Sequence, residues 1–596
     1  MTALWEAMFD PRRSPGGARL RSLLERAVAV PGGEGPGLAV QRLPRAAWPL
    51  LAGAVARLCA AGGRPLLVLT PGPDRFLAEL RPWLAGTPPG HLFAEVTVSF
   101  LDRPPAFDEA VGRRLDALAA LASGEPCAVV SSRRAAQRVT VSPLELRETS
   151  VTLRPGLAAD PQDLARRLVD MGYSREPLVE APGQFSVRGG ILDVFPPAGR
   201  SPVRAEWLGQ EVETLRLFDP VNQRSVMAVP RVTLRPGREL LLGPARGVAA
   251  AALLRSEGGL EGLRGDVRAD WEADLESLAS GASFPGVELF ARYLDTAGSS
   301  LYDHLPEAAV VLDFDPERQT ADVLQMEAEV EMLAAAEARD GELPRGFRAP
   351  MVESSRLAAP DRPRVRVSAG EAPEPEGPVP AAGAPLDLGW ADVEPVVSRP
   401  RALAGAAGAA GRGQAPEDGE GPASMLVLAS EQALRVEALL QEAGAGPSAG
   451  AVDLDLDLEL RPGLFTADLD VDAGCRHDGL GFCLLTDREL FGRARRPAAP
   501  PGRATRAGVR DSSLMLEFQA DELVVHVDHG VARFKGMRLI EADGADREYL
   551  ELEYADGDRL FVPVESMDRV QKYLGGGEGE PSLHRLGTGD WERARR

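Results

Sequence analysis

Lysine is almost missing from this chain. Of 67 lysines and arginines in 596 residues, only Lys535 and Lys572 are lysine. A P-loop holds the β- and γ-phosphates with the lysine of a Gly-Lys-Ser/Thr run, and neither lysine stands in that setting. Nucleotide binding of that kind is not expected. The turn Leu69-Thr70-Pro71-Gly72-Pro73-Asp74 sits where a nucleotide-binding α/β domain keeps its phosphate loop, but it holds one glycine and no lysine, so the site reads as vacant. Positive charge is also lacking. A formal net charge of −22 argues against a chain that coats nucleic acid, because phosphate contacts need concentrated cations. Cysteine is scarce: Cys59, Cys127, Cys475 and Cys483 are too few for a disulfide framework. Long apolar runs are missing as well, and the N-terminus has no apolar signal segment. A cytoplasmic location without a membrane partner is the expectation. The arginine skew, with its alanine, glycine and proline excess, reflects a GC-rich genome, so a lone arginine carries less meaning than usual.

What is present is a chain long enough for several cores. Residues 1–133 read as α/β: RPLLVLTPGPDRF is a buried strand, a turn and a helix, followed by an amphipathic helix at Asp108–Ser123 and a strand at Cys127–Val130. Residues 134–220 read as α+β, with a helix at Pro161–Met171 and strands at Val203–Trp207 and Glu213–Phe218. An α/β pattern returns over 221–345 and ends in a helix at Thr320–Arg339. Proline, alanine and glycine then dominate 346–422, which reads as a mostly flexible linker with LGWADVEP able to dock. A small α/β unit covers 423–497, a second linker 498–512, and a β-rich unit 513–580, with the start of a helix over 581–596. In the β-rich unit, EYLELEY and RLFVPV alternate strictly around an Asp-Gly turn. Short strands and tight turns over about sixty residues predict an SH3- or Tudor-like barrel.

Few constellations suggest chemistry. Cys475, His477 and Cys483 fit no common zinc spacing, and structural cysteines are expected. His526 and His529 flank Asp528 without a nucleophile, which favours a structural or interface role. The acid–apolar alternation VDLDLDLEL suits a half-exposed strand, with an acidic lure for a basic partner as the other reading. The most informative stretch is GQFSVRGGILDVFPP, Gly183 to Pro197. Phe185 and Val187 alternate against Gln184, Ser186 and Arg188, and Gly189-Gly190 then breaks the strand. Arg188 is left pointing away from the apolar side, either to pair with a neighbouring carboxylate or to meet a partner. No hydrolytic triad or carboxylate pair accompanies it. A binding protein is expected, not an enzyme.

GYSREPLVEAPGQFSVRGGILDVFPP and VRAEWLGQEVETLRLFDPVNQRSV resemble the second domain shared by UvrB and the transcription-repair coupling factors (Mfd). VELFARYLDTAGSSLYDHLPEAAVVLDFDPER resembles the α/β segment that follows it. ELVVHVDHGVARFKGM and EYLELEYADGDRLFVPVESMDRVQKYLG resemble the RNA-polymerase-interacting domain of the coupling factors, a domain that UvrB lacks. The resemblance runs from about residue 43 to 596, the linker excepted. It implies UvrB-like domains 1a, 2 and 1b, a small α/β domain and a C-terminal barrel, with the phosphate loop of domain 1a lost.

That resemblance implies an adaptor in transcription-coupled nucleotide-excision repair, with UvrA and the RNA polymerase β subunit as partners and damaged DNA reached only through them. Arg175 and Arg188, with Phe185 and Phe195 as weaker candidates, fall on the UvrA-binding motif; Ser186 replaces a further arginine found in UvrB. Strand addition to polymerase falls on Arg538, Leu539 and Ile540, with Lys535 and Arg533 as charge support. Of Leu539 and Ile540, alternation lets one point inward. The family's ATP- and magnesium-dependent translocase motor is not expected here, so no cofactor is implied: the sequence ends at Arg596 in what reads as a helix begun near Asp590, as a fragment or a shortened product. The rival readings are a UvrB-type helicase, which the missing phosphate-binding lysine disfavours, a CarD-like polymerase-binding regulator, which leaves 1–340 without a role, and a degenerate gene product.

Overall fold

The computed structural model describes residues 4–29, 38–84, 87–95, 109–199, 201–257, 260–281, 284–295, 298–354, 362–370, 385–393, 425–430, 463–467, 471–491, 523–526, 530–542, 545–555, 558–563 and 570–572. They fall into two units, 1–502 and 503–596. No helix among them is long and apolar enough to cross a membrane.

A seven-stranded, wholly parallel sheet organises the first unit. In spatial order its strands are Leu386–Asp387, Leu38–Gln41, Arg364–Val367, Val310–Phe314, Leu66–Leu69, Ala128–Ser131 and Gly90–Leu92. The central strands are continuous apolar runs because helices cover both faces: every residue of Leu66–Leu69 and Val310–Phe314 is buried. Residues read as two separate segments, 1–133 and 221–345, thus build one sheet. The expected linker at 346–422 needs correction, because Arg364–Val367 is an internal strand and Leu386–Asp387 an edge strand of this sheet. Four residues of RVRV, set in proline- and glycine-rich text, are too short to show a strand period. The LGWADV text does dock: Trp390–Asp392 pairs antiparallel with Cys475–His477.

Between the strands Ala128–Ser131 and Val310–Phe314 the chain leaves the sheet and returns. Val151–Leu153 and Val232–Leu234 pair antiparallel as the neck of an inserted domain, whose six-stranded sheet lies between them. The helix Pro161–Asp170 starts this domain. Asp160 caps it by accepting from the Gln162 amide at 2.9 Å, Pro161 presets its first turn, and Leu164, Ala165 and Leu168 bury its apolar stripe against the sheet.

After the insertion, the helices Pro244–Glu257 and Gly265–Ser280 pack on a core that includes Trp271 and Phe290, and the helix Pro316–Asp340 follows the strand Val310–Phe314. Gly247 is where the two helices touch, since a β-carbon there would overlap the Leu278 carbonyl. Gly247→Ala is therefore expected to lose about 1–3 kcal/mol through overpacking. Denaturant titration of this variant reads the loss, and an unmoved midpoint would show that the helices separate freely.

A smaller five-stranded sheet runs Trp390–Asp392, Cys475–His477, Phe482–Thr486, Met425–Ala429 and Gly463–Ala467. Cys483 lies opposite Arg476 and Cys475 opposite Leu484, so the two thiols point to opposite faces and cannot share a metal. Burial raises the Cys475 pKa well above that of an ordinary thiol. Among the described residues, no group of three or more His, Cys, Asp or Glu could hold an ion.

The second unit is an antiparallel sheet in the order Arg559–Pro563, Ala545–Glu553, Gly530–Ala542, Leu523–His526 and Val570–Lys572. In chain order its last strand, Val570–Lys572, returns to pair with its first, Leu523–His526, at the far edge from Arg559–Pro563. The VDLDLDLEL strand, Asp528, His529 and the terminal helix lie outside the described residues.

Candidate functional site

The inserted domain places its charges by strand alternation. In its sheet Ser186 stands opposite Asp193, Asp193 opposite Arg204, and Arg204 opposite Arg216. Residues opposite one another share a face, so these four form one row. The neighbouring row on that face holds Arg188, Ile191, Glu206 and Thr214. The other face carries Phe185, Leu192, Val194, Ala205 and Leu215, all in the domain core.

Arg188 closes a tight hairpin with Ile191, and Gly189 supplies the positive φ of 60° that the turn requires. Its guanidinium Nη2 donates to Asp193 Oδ2 at 2.7 Å. The carboxylate reading of Arg188 is therefore right, but incomplete. Asp193 is fully buried and is gripped from the other side by Arg204, which donates Nε to Oδ1 at 2.7 Å and Nη2 to Oδ2 at 2.9 Å. Arg204 also lies over the Phe218 ring at 4.7 Å. The hydrogen bond to Asp193 raises the Arg204 pKa above its usual value, so this cation never titrates in the working range. One carboxylate thus serves two arginines, leaving a net positive charge. The Arg188 side chain keeps 51% of its surface exposed while tethered, so its fork is oriented and still reachable. Arg216 extends the row and is exposed.

Two of the expected contact residues are elsewhere. Phe185 is fully buried in the domain core, and Phe195 is 6% exposed in a small cluster with Val179 and Phe218. Both rings serve packing. Arg175 is exposed on the two-residue edge strand Ser174–Arg175, opposite Phe185 in register. It therefore stands on the other face from Arg188, and the fold does not bring the two arginines together. Arg204 and Arg216 escaped the sequence because strand register, not local text, aligns them with Arg188.

In the second unit, Arg538, Leu539 and Ile540 pair with Tyr549, Glu548 and Arg547. On the opposite side of Gly530–Ala542, the strand Leu523–His526 reaches only as far as Arg533. Among the described residues, no strand covers that edge from Phe534 onward. A bulge between Phe534 and Gly536 interrupts the register at Lys535, whose Nζ sits 3.2 Å from Glu553. Arg533 is half-buried. The side chains of Arg538, Leu539 and Ile540 lie outside the described residues.

Comparison with known proteins supplies the context. A family model described as "UvrB interaction domain" matches residues 151–240, from the neck through the arginine face. Another, "CarD-like/TRCF RID domain", matches residues 518–574, the second unit's sheet. The transcription-repair-coupling factor of Myxococcus xanthus is 31% identical over 538 residues, covering 82% of this chain and 41% of that protein. The factor of Mycobacterium bovis is 30% identical over 603 residues, covering 91% of this chain and 45% of that protein. In the Bacillus subtilis factor the identity is 25% over 506 residues, covering 82% and 41%. This chain spans less than half the length of these relatives. By both domain matches, and by relatives aligned over four-fifths or more of its length, the chain is a homologue of the transcription-repair-coupling factors with a UvrB interaction domain and a CarD-like/TRCF RID domain.

Proposed function

We propose that these residues act as an adaptor in transcription-coupled repair, the first unit recruiting UvrA and the second docking on the RNA polymerase β subunit. The observation that carries this is the presence of a UvrB interaction domain and a CarD-like/TRCF RID domain in one chain. UvrA meets the face bearing Arg188, Arg204 and Arg216, where arginine forks suit a carboxylate-bearing partner, and Arg175 adds a contact from the sheet edge. Polymerase adds a strand along the uncovered edge after Phe534, with main-chain bonds giving affinity and Arg538, Leu539 and Ile540 the register. The second unit closes into a small SH3- or Tudor-like barrel around this edge. Damaged DNA is reached through the two partners, and no catalytic step or cofactor is assigned to these residues. A polymerase-binding regulator alone gives no role to the UvrB interaction domain.

Binding to purified UvrA tests the proposal. Arg188→Ala removes the exposed fork without setting a second anion beside Asp193, and Arg188→Glu reverses its charge. Losses of about tenfold or more are expected in both, in line with an interface charge-assisted pair, with hydrogen exchange across the sheet shifted by no more than about 1 kcal/mol in the alanine variant. A wild-type chain silent toward UvrA, or an alanine variant that binds as well as wild type, would sink the assignment of this face.

A further inference from the structure

The six-stranded sheet of the inserted domain ends at the strand Ser225–Ala228, whose one neighbour among the described residues is Glu211–Phe218. All four residues of this edge strand are exposed, Val226 to 69% and Met227 to 57%. The next residue shows which way its backbone points. Val229 donates to the Leu215 carbonyl at 3.0 Å, and amides alternate in direction along an antiparallel strand. The N–H and C=O of Ala228 therefore turn outward. Soluble proteins guard such edges with charge, proline or a covering loop. The run Ser-Val-Met-Ala holds neither charge nor proline, and Val221 in the preceding turn is exposed as well. An edge of this kind is a template for strand addition.

Charge selects the occupant. Residues 220–238 hold four arginines and no acid, in a chain of net charge −22. Arg224 and Arg231, both exposed, flank the strand, and the exposed Arg216 stands opposite Ala228. Asp219, just ahead of this stretch, is engaged within its own turn, accepting from the Val221 amide at 2.8 Å and from Asn222 Nδ2 at 2.6 Å. Glu211 and Glu213 lie toward the other end of the neighbouring strand. A second copy of the chain, paired antiparallel on this edge, would bring like-charged arginines together, which is unfavourable. Nucleic acid would meet the arginines but leave the outward backbone groups and the apolar side chains unmatched. An acidic strand satisfies the backbone, the apolar side chains and the arginines together.

We propose that Ser225–Ala228 docks an extended acidic segment of a protein partner as an added strand, its main chain bonding Ala228 and its carboxylates meeting Arg216 and Arg224. The probe is a fluorescent peptide alternating valine and glutamate, titrated with the full chain by anisotropy at about 50 mM ionic strength, where screening is modest. Saturable binding is expected, and a valine–lysine peptide should not bind. Two further peptides are N-methylated, one on its valine amides and the other on its glutamate amides. One of the two should lose binding, because only alternate amides of an added strand face the edge; this arm leaves the protein unaltered. Ala228→Pro removes the outward donor at a position where edge strands tolerate proline, and Arg216→Gln/Arg224→Gln removes two charges. Each should weaken binding about tenfold or more, while Arg255→Gln, on the helix Pro244–Glu257, should leave it unchanged. The proposal is overturned if the valine–glutamate peptide fails to saturate, if the lysine peptide binds equally, or if both methylated peptides bind like the parent. A single-stranded oligonucleotide that binds more tightly than the peptide would overturn it in favour of nucleic acid. Self-association of the chain that Ala228→Pro abolishes would overturn it in favour of a second copy.

Discussion

Asp193→Ala is expected to loosen the UvrB interaction domain by about 3–5 kcal/mol, the scale for removing one partner of a buried ion pair. Asp193 has no exposed side-chain surface, and Arg204, its bidentate partner, is 17% exposed. Without the carboxylate, Arg204 is left over Phe218 with one remaining bond, from Nη1 to the Gln223 carbonyl at 3.2 Å. Arg188 contributes little to this loss. Half its side chain is in water, and exposed pairs give at most about 1 kcal/mol. The two effects separate by comparison with Arg188→Ala, which should cost well under half as much. Hydrogen exchange along the strands Gln184–Arg188, Ile191–Val194 and Val203–Leu208 measures the opening free energy of this domain alone. Equal losses in the two variants would show that the carboxylate serves only Arg188, contrary to the geometry.

The second large effect is expected at Glu239→Ala, again about 3–5 kcal/mol. Arg114 is wholly buried and donates Nε to Glu239 Oε1 at 2.9 Å and Nη1 to the Ala94 carbonyl at 2.8 Å, with its guanidinium 3.7 Å from the Phe93 ring centre. Desolvation lowers the Arg114 pKa, yet an arginine stays charged at any working pH, so removing Glu239 strands a cation in the interior. Thr140 loses its 2.7 Å bond to the same oxygen. The double variant Arg114→Met/Glu239→Leu replaces the pair with apolar groups and should recover most of the loss, as such swaps are often neutral. Urea denaturation of the single and double variants gives the comparison. A double variant as unstable as the single would mean that packing around Arg114, not its stranded charge, sets the cost.

Local pattern made much of this legible. The strand around Phe185, the break at Gly189 and the helix after Asp160 each follow from alternation, glycine or a cap, and all three are decided within a few residues. Arg188 was visible as a cation out of place. Its setting was not, because Arg204 and Arg216 join it through register across separate strands, which no window on one strand contains. Phe185 and Phe195 sit in a motif resembling a binding site, but their burial depends on what packs above them. Arg364–Val367 was lost for a third reason: a four-residue internal strand takes its stability from two long-range neighbours and needs little signal of its own.

The neck formed by Val151–Leu153 and Val232–Leu234 also bears on how the host sheet assembles. Leu66–Leu69 must find Val310–Phe314 across more than two hundred residues, and pairing at such separation is slow because loop closure precedes any reward. An inserted domain that folds on its own residues brings its two ends side by side at the neck. The chain that must then be closed is shorter than the sequence suggests, and each halving of an effective loop saves about 0.6 kcal/mol of closure entropy. The arginine-bearing domain thereby acts as a clip that shortens the search of the sheet into which it is inserted.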